Sequence, residues 1–403
     1  MARGARQVIG DTSLAAVSAG FVATLVGFTS TIALIFHAAQ ALGATPAQVS
    51  SWVWALGIGM GLSTIGLSLW TRVPILITWS TPGAAVIAAA ATGVTMPEAV
   101  GAFLVCGGLM LLSGLSGVFE RLMSRIPVAL ASALLAGILA KFALMAFAGA
   151  ADHTGLVLAM FFAYLAGRRW WPRYAVLGVL VVGVVTAIAS GLLNTQALSH
   201  DSLWAWPVFV MPQWSWQAVI GMGLPLFIVT MASQAVPGVS AIRGAGYEAP
   251  VSPLMSWSGV TTLLLAPFGG YAFNLAAITA AIVLSPHAHA QPQRRYTAAI
   301  MSGLFYIGMG LLGGAVAVLL AAFPSALVMG VAGLALLGTI GNGLATALRG
   351  ERHREAALIT FLVTLSGVTL LGVSSAFWGL VAGTIALFVE HFRAPPPDHA
   401  DSP

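Results

Sequence analysis

Charge is what this 403-residue chain most lacks: Lys, Arg, Asp and Glu make up 7% of it, against 59% hydrophobic residues. A soluble domain carries about 25% charged residues, so a water-facing surface cannot be built here. Soluble enzymes, nucleic-acid binders and disordered chains are therefore poor readings. The pI near 9.9 does not restore a nucleic-acid partner, because the basic residues stand singly between apolar runs and not together on one face. Cysteine is nearly missing too. The sole Cys106 lies in an apolar run, so no intrachain disulfide forms and no Cys-based metal site is indicated. No His/Asp/Glu set with metal-ligand spacing falls within the apolar runs, and no nucleotide-binding Gly-rich loop occurs. No cofactor or metal is expected, and any transport must draw on a gradient. A membrane enzyme is correspondingly weak as a reading.

What is present is membrane-competent sequence. A bilayer core about 30 Å thick takes about 20 apolar residues per helix. Cutting at charges, Pro/Gly clusters and polar runs predicts an all-α polytopic protein of fourteen segments, near 13–42, 47–70, 74–93, 96–118, 126–148, 153–168, 173–193, 215–238, 250–267, 271–286, 293–322, 324–347, 354–370 and 374–392. Segments 3, 6 and 10 are short or broken. Met1–Thr12 carries no cleavable signal pattern and reads as a mature tail, and 394–403 as a disordered one.

The arginines test this division. Arg72 falls between segments 2 and 3, Arg121 and Arg125 between 4 and 5, and Arg168, Arg169 and Arg173 between 6 and 7. Arg243 falls between 8 and 9, Arg294 and Arg295 between 10 and 11, and Arg349, Arg352 and Arg354 between 12 and 13. With Arg3, Arg6 and Arg393, all 15 lie on one side. Positive short loops mark the cytoplasm, so both termini are expected there, in a bacterial inner membrane. Asp152, His153, His200 and Asp201 fall in the opposite loops.

Two halves are visible. Pro82–Ala90 resembles Asn274–Ile282, and Ile126-Pro-Val-Ala-Leu130 resembles Phe323-Pro-Ser-Ala-Leu327, at similar offsets and in the same order. Seven segments per half force the second half to be inverted, an arrangement typical of transporters with a midplane site between broken helices. In segment 3, Ser80 or Thr81 can cap a half-helix with Pro82 at its first position. In segment 10, Asn274 is the cap candidate. Two such N-termini offer N–H groups and partial positive charge to an anion without any buried arginine. Two kinks without a ligand are the plain alternative. In segment 8, Gln234 precedes Pro237-Gly238 and is either a ligand group or interhelical glue. Phe28-Thr-Ser-Thr31 stands at the equivalent place in segment 1.

Ile77-Thr-Trp-Ser-Thr-Pro-Gly-Ala-Ala85, Ser233-Gln-Ala-Val-Pro-Gly238, Ala266-Pro-Phe-Gly-Gly270 and Asn274-Leu-Ala-Ala-Ile-Thr-Ala-Ala281, continued over Pro292–Tyr296, resemble the BenE-type benzoate:proton symporters over most of the chain. The resemblance implies the fold shared by uracil/xanthine permeases and sulfate-permease-type carriers. A core domain would comprise 1–118 and 201–322 (segments 1–4 and 8–11), and a gate domain 119–200 and 323–393 (segments 5–7 and 12–14). It also implies import of benzoate or a similar aromatic carboxylate with protons by alternating access. Uracil-type relatives place acidic residues in segments 8 and 10, where this chain has Gln234 and Asn274. A benzoate brings its own charge and a nearby carboxylate would repel it. The carboxylate is expected near the N–H groups of Gly83, Ala84, Leu275 and Ala276, with Ser80, Thr81, Asn274 and Gln234 as side-chain partners. Phe28, Trp79, Tyr271 and Phe273 are candidate ring walls.

Lys141, the only lysine, lies about 22 Å into segment 5. It either handles charge on the substrate path or snorkels to the far interface. His37 either carries protons or packs. Trp52, Trp54, Trp170, Trp171, Trp204, Trp206, Trp214 and Trp216 read as an aromatic belt. Another small anion or a nucleobase as cargo, and an anion channel on the same fold, stay open as alternatives, as does a homodimer.

Overall fold

The computed structural model describes residues 8–117, 128–172, 175–194, 203–276, 279–368, 370 and 375–393. Arg3, Arg6, Arg121, Arg125, Arg173, His200, Asp201 and the tail from 394 lie outside the described residues. The chain is mostly helical, and each of the fourteen sequence segments contains a helix. Among the described residues, seven helices are each long and apolar enough to cross a membrane: Leu14–Ala41, Pro46–Thr71, Met96–Leu115, Val128–Ala148, Trp216–Arg243, Val251–Phe268 and Ser325–Leu348. In segment 11, Pro292–Leu311 and Gly313–Ala322 form an eighth if the pair, bent by 62°, is one span. The helices in the other six segments are shorter or have a shorter apolar stretch: Thr81–Ala90 in segment 3, Thr154–Trp170 in 6, Ala175–Ala189 in 7, Ala280–Leu284 in 10, Arg354–Ser366 in 13 and Ser375–Arg393 in 14. The chain is a multi-pass membrane protein.

Helix starts follow one local rule. Ser13 accepts from Ala16 N, and Thr45 forms a capping box with Gln48 before Pro46. Thr95 N donates to the Glu98 carboxylate at 2.8 Å. Each satisfies N–H groups the helix itself leaves open.

Segment 2 packs along segment 11, and segment 4 along segment 9. Glycine permits both approaches. A Cβ on Gly57 would stand 2.5 Å from Gly310 Cα, and one on Gly259 2.5 Å from Leu111 N. Lipid supplies no hydrophobic drive between helices, so small residues that let backbones meet hold such pairs together. Segment 12 packs on segment 5, segment 13 on 14 and segment 6 on 7.

The breaks meet in the interior. Strands β1 (Ile77–Thr78) and β2 (Asn274–Leu275) pair antiparallel, Ile77 opposite Leu275 and Thr78 opposite Asn274. Irregular backbone at this depth needs partners, and neighbouring hydroxyls provide them. Thr64 Oγ1 accepts from Ile77 N at 2.9 Å, Ser68 Oγ from Ile75 N at 3.2 Å, and Thr262 Oγ1 from Phe273 N at 3.2 Å. At the arginine-bearing end, Asp11 joins segment 11: Arg294 Nε lies 3.2 Å from Asp11 Oδ1, and Tyr296 donates to Asp11 Oδ2 at 2.8 Å. Arg72 donates to the Tyr296 hydroxyl and lies 4.8 Å over its ring.

Two sequence expectations change. Asn274 does not cap segment 10: it stands in β2, and the described helix begins at Ala280 after Thr279. Strand pairing holds it there. Trp52 is not in the aromatic belt. It is 2% exposed, packed on Phe103 and Tyr271 at 5.6 and 5.8 Å. Trp170, Trp171, Trp204, Trp206, Trp214 and Trp216 are exposed.

Candidate functional site

Segment 3 builds one side of the site. Ser80 is the N-cap of Thr81–Ala90, accepting from Gly83 N at 3.0 Å, while its carbonyl accepts from Ala84 N at 2.9 Å. Ser80 is also fully buried and accepts from Thr230 Oγ1 at 2.8 Å, which ties segment 3 to segment 8. Ala276 N donates to Leu76 O at 2.9 Å. The amides of Gly83, Ala84 and Ala276 are thus already engaged. They shape the site, and free donors must come from side chains.

Segment 8 builds the facing side. It contains two π-turns, Val219–Gly223 and Met231–Ala235, each ending two residues before a proline, Pro225 and Pro237. A proline inside a helix clashes with the carbonyl four residues back, here Gly221 and Ser233. Widening the turn relieves that clash, and π-turns recur at functional sites. Gln234 lies in the second one. A Cβ on Gly238 would stand 2.5 Å from Leu275 Cβ, so glycine there lets segment 8 meet β2.

Between these elements is a cavity of about 110 Å³, lined in part by Gly27, Thr31, Met60, Thr78, Trp79, Thr81, Gln234, Ala276, Thr279 and Tyr306. That is space for a small ring and not merely one water, which needs about 10–15 Å³. A second cavity of about 540 Å³ shares Thr31, Thr81 and Gln234 with it and is walled by segments 5 and 12, including Ser132, Thr339 and Asn342. Its lining also includes Val128 and Thr346, at the arginine-bearing ends of their helices. The second cavity is therefore a vestibule leading from the centre toward that end.

Thr31 Oγ1 accepts from Trp79 Nε1 at 2.8 Å and donates to Gly27 O at 2.9 Å, so it keeps no free donor. The Thr81 hydroxyl and the Gln234 amide make no hydrogen bond among the described residues. The buried Tyr306 hydroxyl makes no hydrogen bond of good geometry among the described residues; Ser302, bonded to Thr24 at 2.8 Å, is its polar neighbour. Among the described residues, no Asp, Glu, His, Lys or Arg lines the central cavity. Three free donors and no fixed charge suit an anion that must also leave.

The structure brings together Trp79, Thr81, Gln234 and Ala276. Phe28 stands behind Trp79, rings 5.1 Å apart. Tyr271 and Phe273 are fully buried and do not line the cavity; Tyr271 packs on Trp52 and Phe103. Asn274 is buried, with Nδ2 donating to Ala272 O at 2.9 Å and Oδ1 unpartnered. Lys141 lines neither cavity. Its Nζ would stand 3.0 Å from a Cβ on Gly367, beside the C-terminus of Arg354–Ser366, where a cation is favoured. The His37 ring packs edge-on against Phe142 at 5.8 Å. Sequence reasoning missed Tyr306, Thr279, Ser132, Thr339 and Asn342. A polar residue inside an apolar run marks Asn342; nothing in the sequence marks Tyr306.

The fold and this interior site define a membrane transporter. The chain superposes on SLC26A9 with a TM-score of 0.62 at 13% identity, covering 93% of this chain and 65% of that one. On the transmembrane domain of the cyanobacterial bicarbonate transporter BicA the TM-score is 0.52 at 14% identity, covering 94% and 96%. The sequence profile of the benzoate membrane transport protein family, BenE, matches residues 10–389. The benzoate membrane transport protein of Acinetobacter baylyi (strain ATCC 33305 / BD413 / ADP1) is 36% identical over 379 residues, 94% of this chain and 96% of that one. The inner membrane protein YdcO of Escherichia coli (strain K12) is 47% identical over 377 residues, 93% and 96%. The chain belongs to the BenE family, a family of transport proteins and not of enzymes.

Proposed function

We propose that the protein imports benzoate or a similar aromatic carboxylate together with protons, by alternating access, across a bacterial inner membrane with both termini cytoplasmic. What carries this reading is the central cavity: free donors at Thr81, Gln234 and Tyr306, a ring wall at Trp79, and no acidic group among the described residues. The carboxylate sits at the N-terminus of Thr81–Ala90, whose dipole favours negative charge. Ser80, Asn274, Leu275, Gly83, Ala84 and Ala276 hold the breaks in shape, and Phe28, Tyr271 and Phe273 back the walls. A negative-inside potential opposes anion entry by about 2.3 kcal/mol per charge per 100 mV. One co-transported proton cancels that term, and Lys141 and His37 are the candidates to handle charge.

Fourteen spans in a 7+7 inverted repeat fit the packing. Under that repeat the contact of segment 2 with 11 is equivalent to that of 9 with 4, and both are close. Segments 3 and 10 exchange places and meet as antiparallel strands. Ser63 and Thr261, in segments 2 and 9, lie 198 residues apart and 2.8 Å from each other. Segments 1–4 and 8–11 pack mainly with one another, as do 5–7 and 12–14, the grouping expected of core and gate. The vestibule at the arginine-bearing end corresponds to an inward-open form.

Labelled benzoate uptake into liposomes containing the purified protein tests this. An inward proton gradient should drive accumulation. Uptake indifferent to the gradient would remove proton coupling, and large unsaturable currents would indicate a channel.

A further inference from the structure

Segment 1 packs along segment 11. Residues 20, 24 and 27 share one face of the first helix, and 298, 302 and 306 one face of the second. Position 20 meets Ala298 and Ser302, Thr24 lies 2.8 Å from the Ser302 hydroxyl, and position 27 meets Tyr306. The two glycines on this face have different surroundings. A Cβ on Gly20 would stand 2.7 Å from Ala298 O and 2.7 Å from Ser302 N, so backbone meets backbone there. At Gly27 the nearest atoms are side-chain ends, Thr279 Cγ2 and Tyr306 Oη, each 3.3 Å from a Cβ. Gly27 lies inside Leu14–Ala41 and has no left-handed φ. Neither its conformation nor a close backbone approach therefore requires glycine, and alanine is the better helix former.

What a methyl at position 27 would take is cavity. Gly27, Thr279 and Tyr306 all line the central space of about 110 Å³. The methyl would also crowd the Tyr306 hydroxyl, one of the free donors. The ring wall cannot yield to make up the loss, because Trp79 is held at three points. Its indole N–H donates to Thr31 Oγ1, which itself donates to Gly27 O. Its backbone N lies 3.2 Å from Met60 Sδ, and its ring packs on Phe28. We propose that Gly27 determines which carboxylates the carrier accepts: the space of its missing side chain lets a benzoate-sized acid reach the Tyr306 hydroxyl, and one added methyl shuts that acid out. The inference rests on the import reading above and adds to it the residue that limits ligand size.

The test is calorimetric titration of the purified protein with benzoate and with furan-2-carboxylate, an acid with a smaller, five-membered ring. Gly27→Ala should weaken benzoate binding about tenfold or more, within the range one methylene makes in an apolar pocket. Furan-2-carboxylate should lose under about threefold, so the ratio of the two affinities moves toward the smaller acid. Tyr306→Phe removes the atom that the methyl crowds. In that background Gly27→Ala should cost benzoate less than it does in the wild type, as coupled neighbours do. Gly27→Ala should melt at or above the wild-type temperature, whereas Gly20→Ala, which forces two backbones apart, should melt lower. A lower melting point for Gly27→Ala would make Gly27 a packing residue and overturn the proposal. Unchanged benzoate affinity, equal losses for the two acids, or full additivity with Tyr306→Phe would overturn it as well. Absence of benzoate binding by the wild type would instead defeat the import reading. Wild-type binding that Gln234→Ala weakens and Gly27→Ala leaves alone defeats the role of Gly27 only.

Discussion

At the scale of single residues, the site separates groups that build from groups that are free to bind. Ser80 illustrates the first kind. Its hydroxyl closes a helix cap and receives Thr230, so Ser80→Ala should lower the melting temperature, at about 0.5–2 kcal/mol for a lost cap, as read by thermal denaturation in detergent. Gln234 illustrates the second. With no partner in the described structure, Gln234→Ala should leave stability near wild type and weaken benzoate binding about tenfold, the size of one hydrogen bond to a charged group. Calorimetric titration checks this, and unchanged affinity would refute its place in the site. Tyr306→Phe should show a sharper contrast. Removing an unpartnered buried hydroxyl lifts a desolvation penalty of about 1–3 kcal/mol. The variant should therefore melt no lower than the parent yet bind benzoate more weakly. Gln234, Thr81 and Trp79 were legible because each interrupts an apolar run or sits beside Pro-Gly. Tyr306 was not, since an aromatic within an apolar helix looks like packing until its neighbours are known. Tyr271 and Phe273, expected as ring walls, stand just before β2, fully buried and outside the cavity lining, because closeness in sequence to a break does not fix where a side chain points.

At the scale of elements, prolines punctuate as the sequence suggested but act differently in segments 3 and 8. Pro82 begins a helix at a position where its missing N–H is not needed. Pro237 lies inside a helix and widens the turn that holds Gln234. Pro237→Ala removes the steric cause of that turn. Thermal stability should hold or rise, because an interior proline costs about 3 kcal/mol relative to alanine, while benzoate affinity should fall as Gln234 loses its fixed direction. A binding assay beside a melting curve separates the two effects. The π-turns themselves could not be read from the sequence, since periodicity does not distinguish them from an ordinary helix interrupted by proline. The glycine pairings were equally hidden. Gly57 is one of 46 glycines, and only the meeting with Gly310 gives it a role.

For the whole molecule, the sparse charges carried more information than the abundant apolar residues. Cutting at charges, Pro/Gly clusters and polar runs divided the chain into fourteen pieces, the arginines tested that division, and a helix lies in each piece. Among the described residues apolar length alone gives only seven spans, or eight, because the helices in the other six segments have apolar stretches short of the about 20 residues a crossing needs. The cavities were not legible, because they arise where distant segments fail to fill space. Access to the vestibule can be followed chemically. Cys106 is fully buried, so Ser132→Cys would offer the reagent one accessible thiol. It should react with a membrane-impermeant maleimide from the arginine-bearing side and be protected by benzoate. Labelling from the opposite side alone would reverse the assigned orientation.

The vestibule holds about 540 Å³ and the central cavity about 110 Å³. A bulky aromatic acid, such as one with two fused rings, fits the first and not the second. Such a molecule would act as a one-sided plug: held by Gln234 and Thr81 at the narrow end, it would block the carrier from the arginine-bearing side and be without effect when applied from the other.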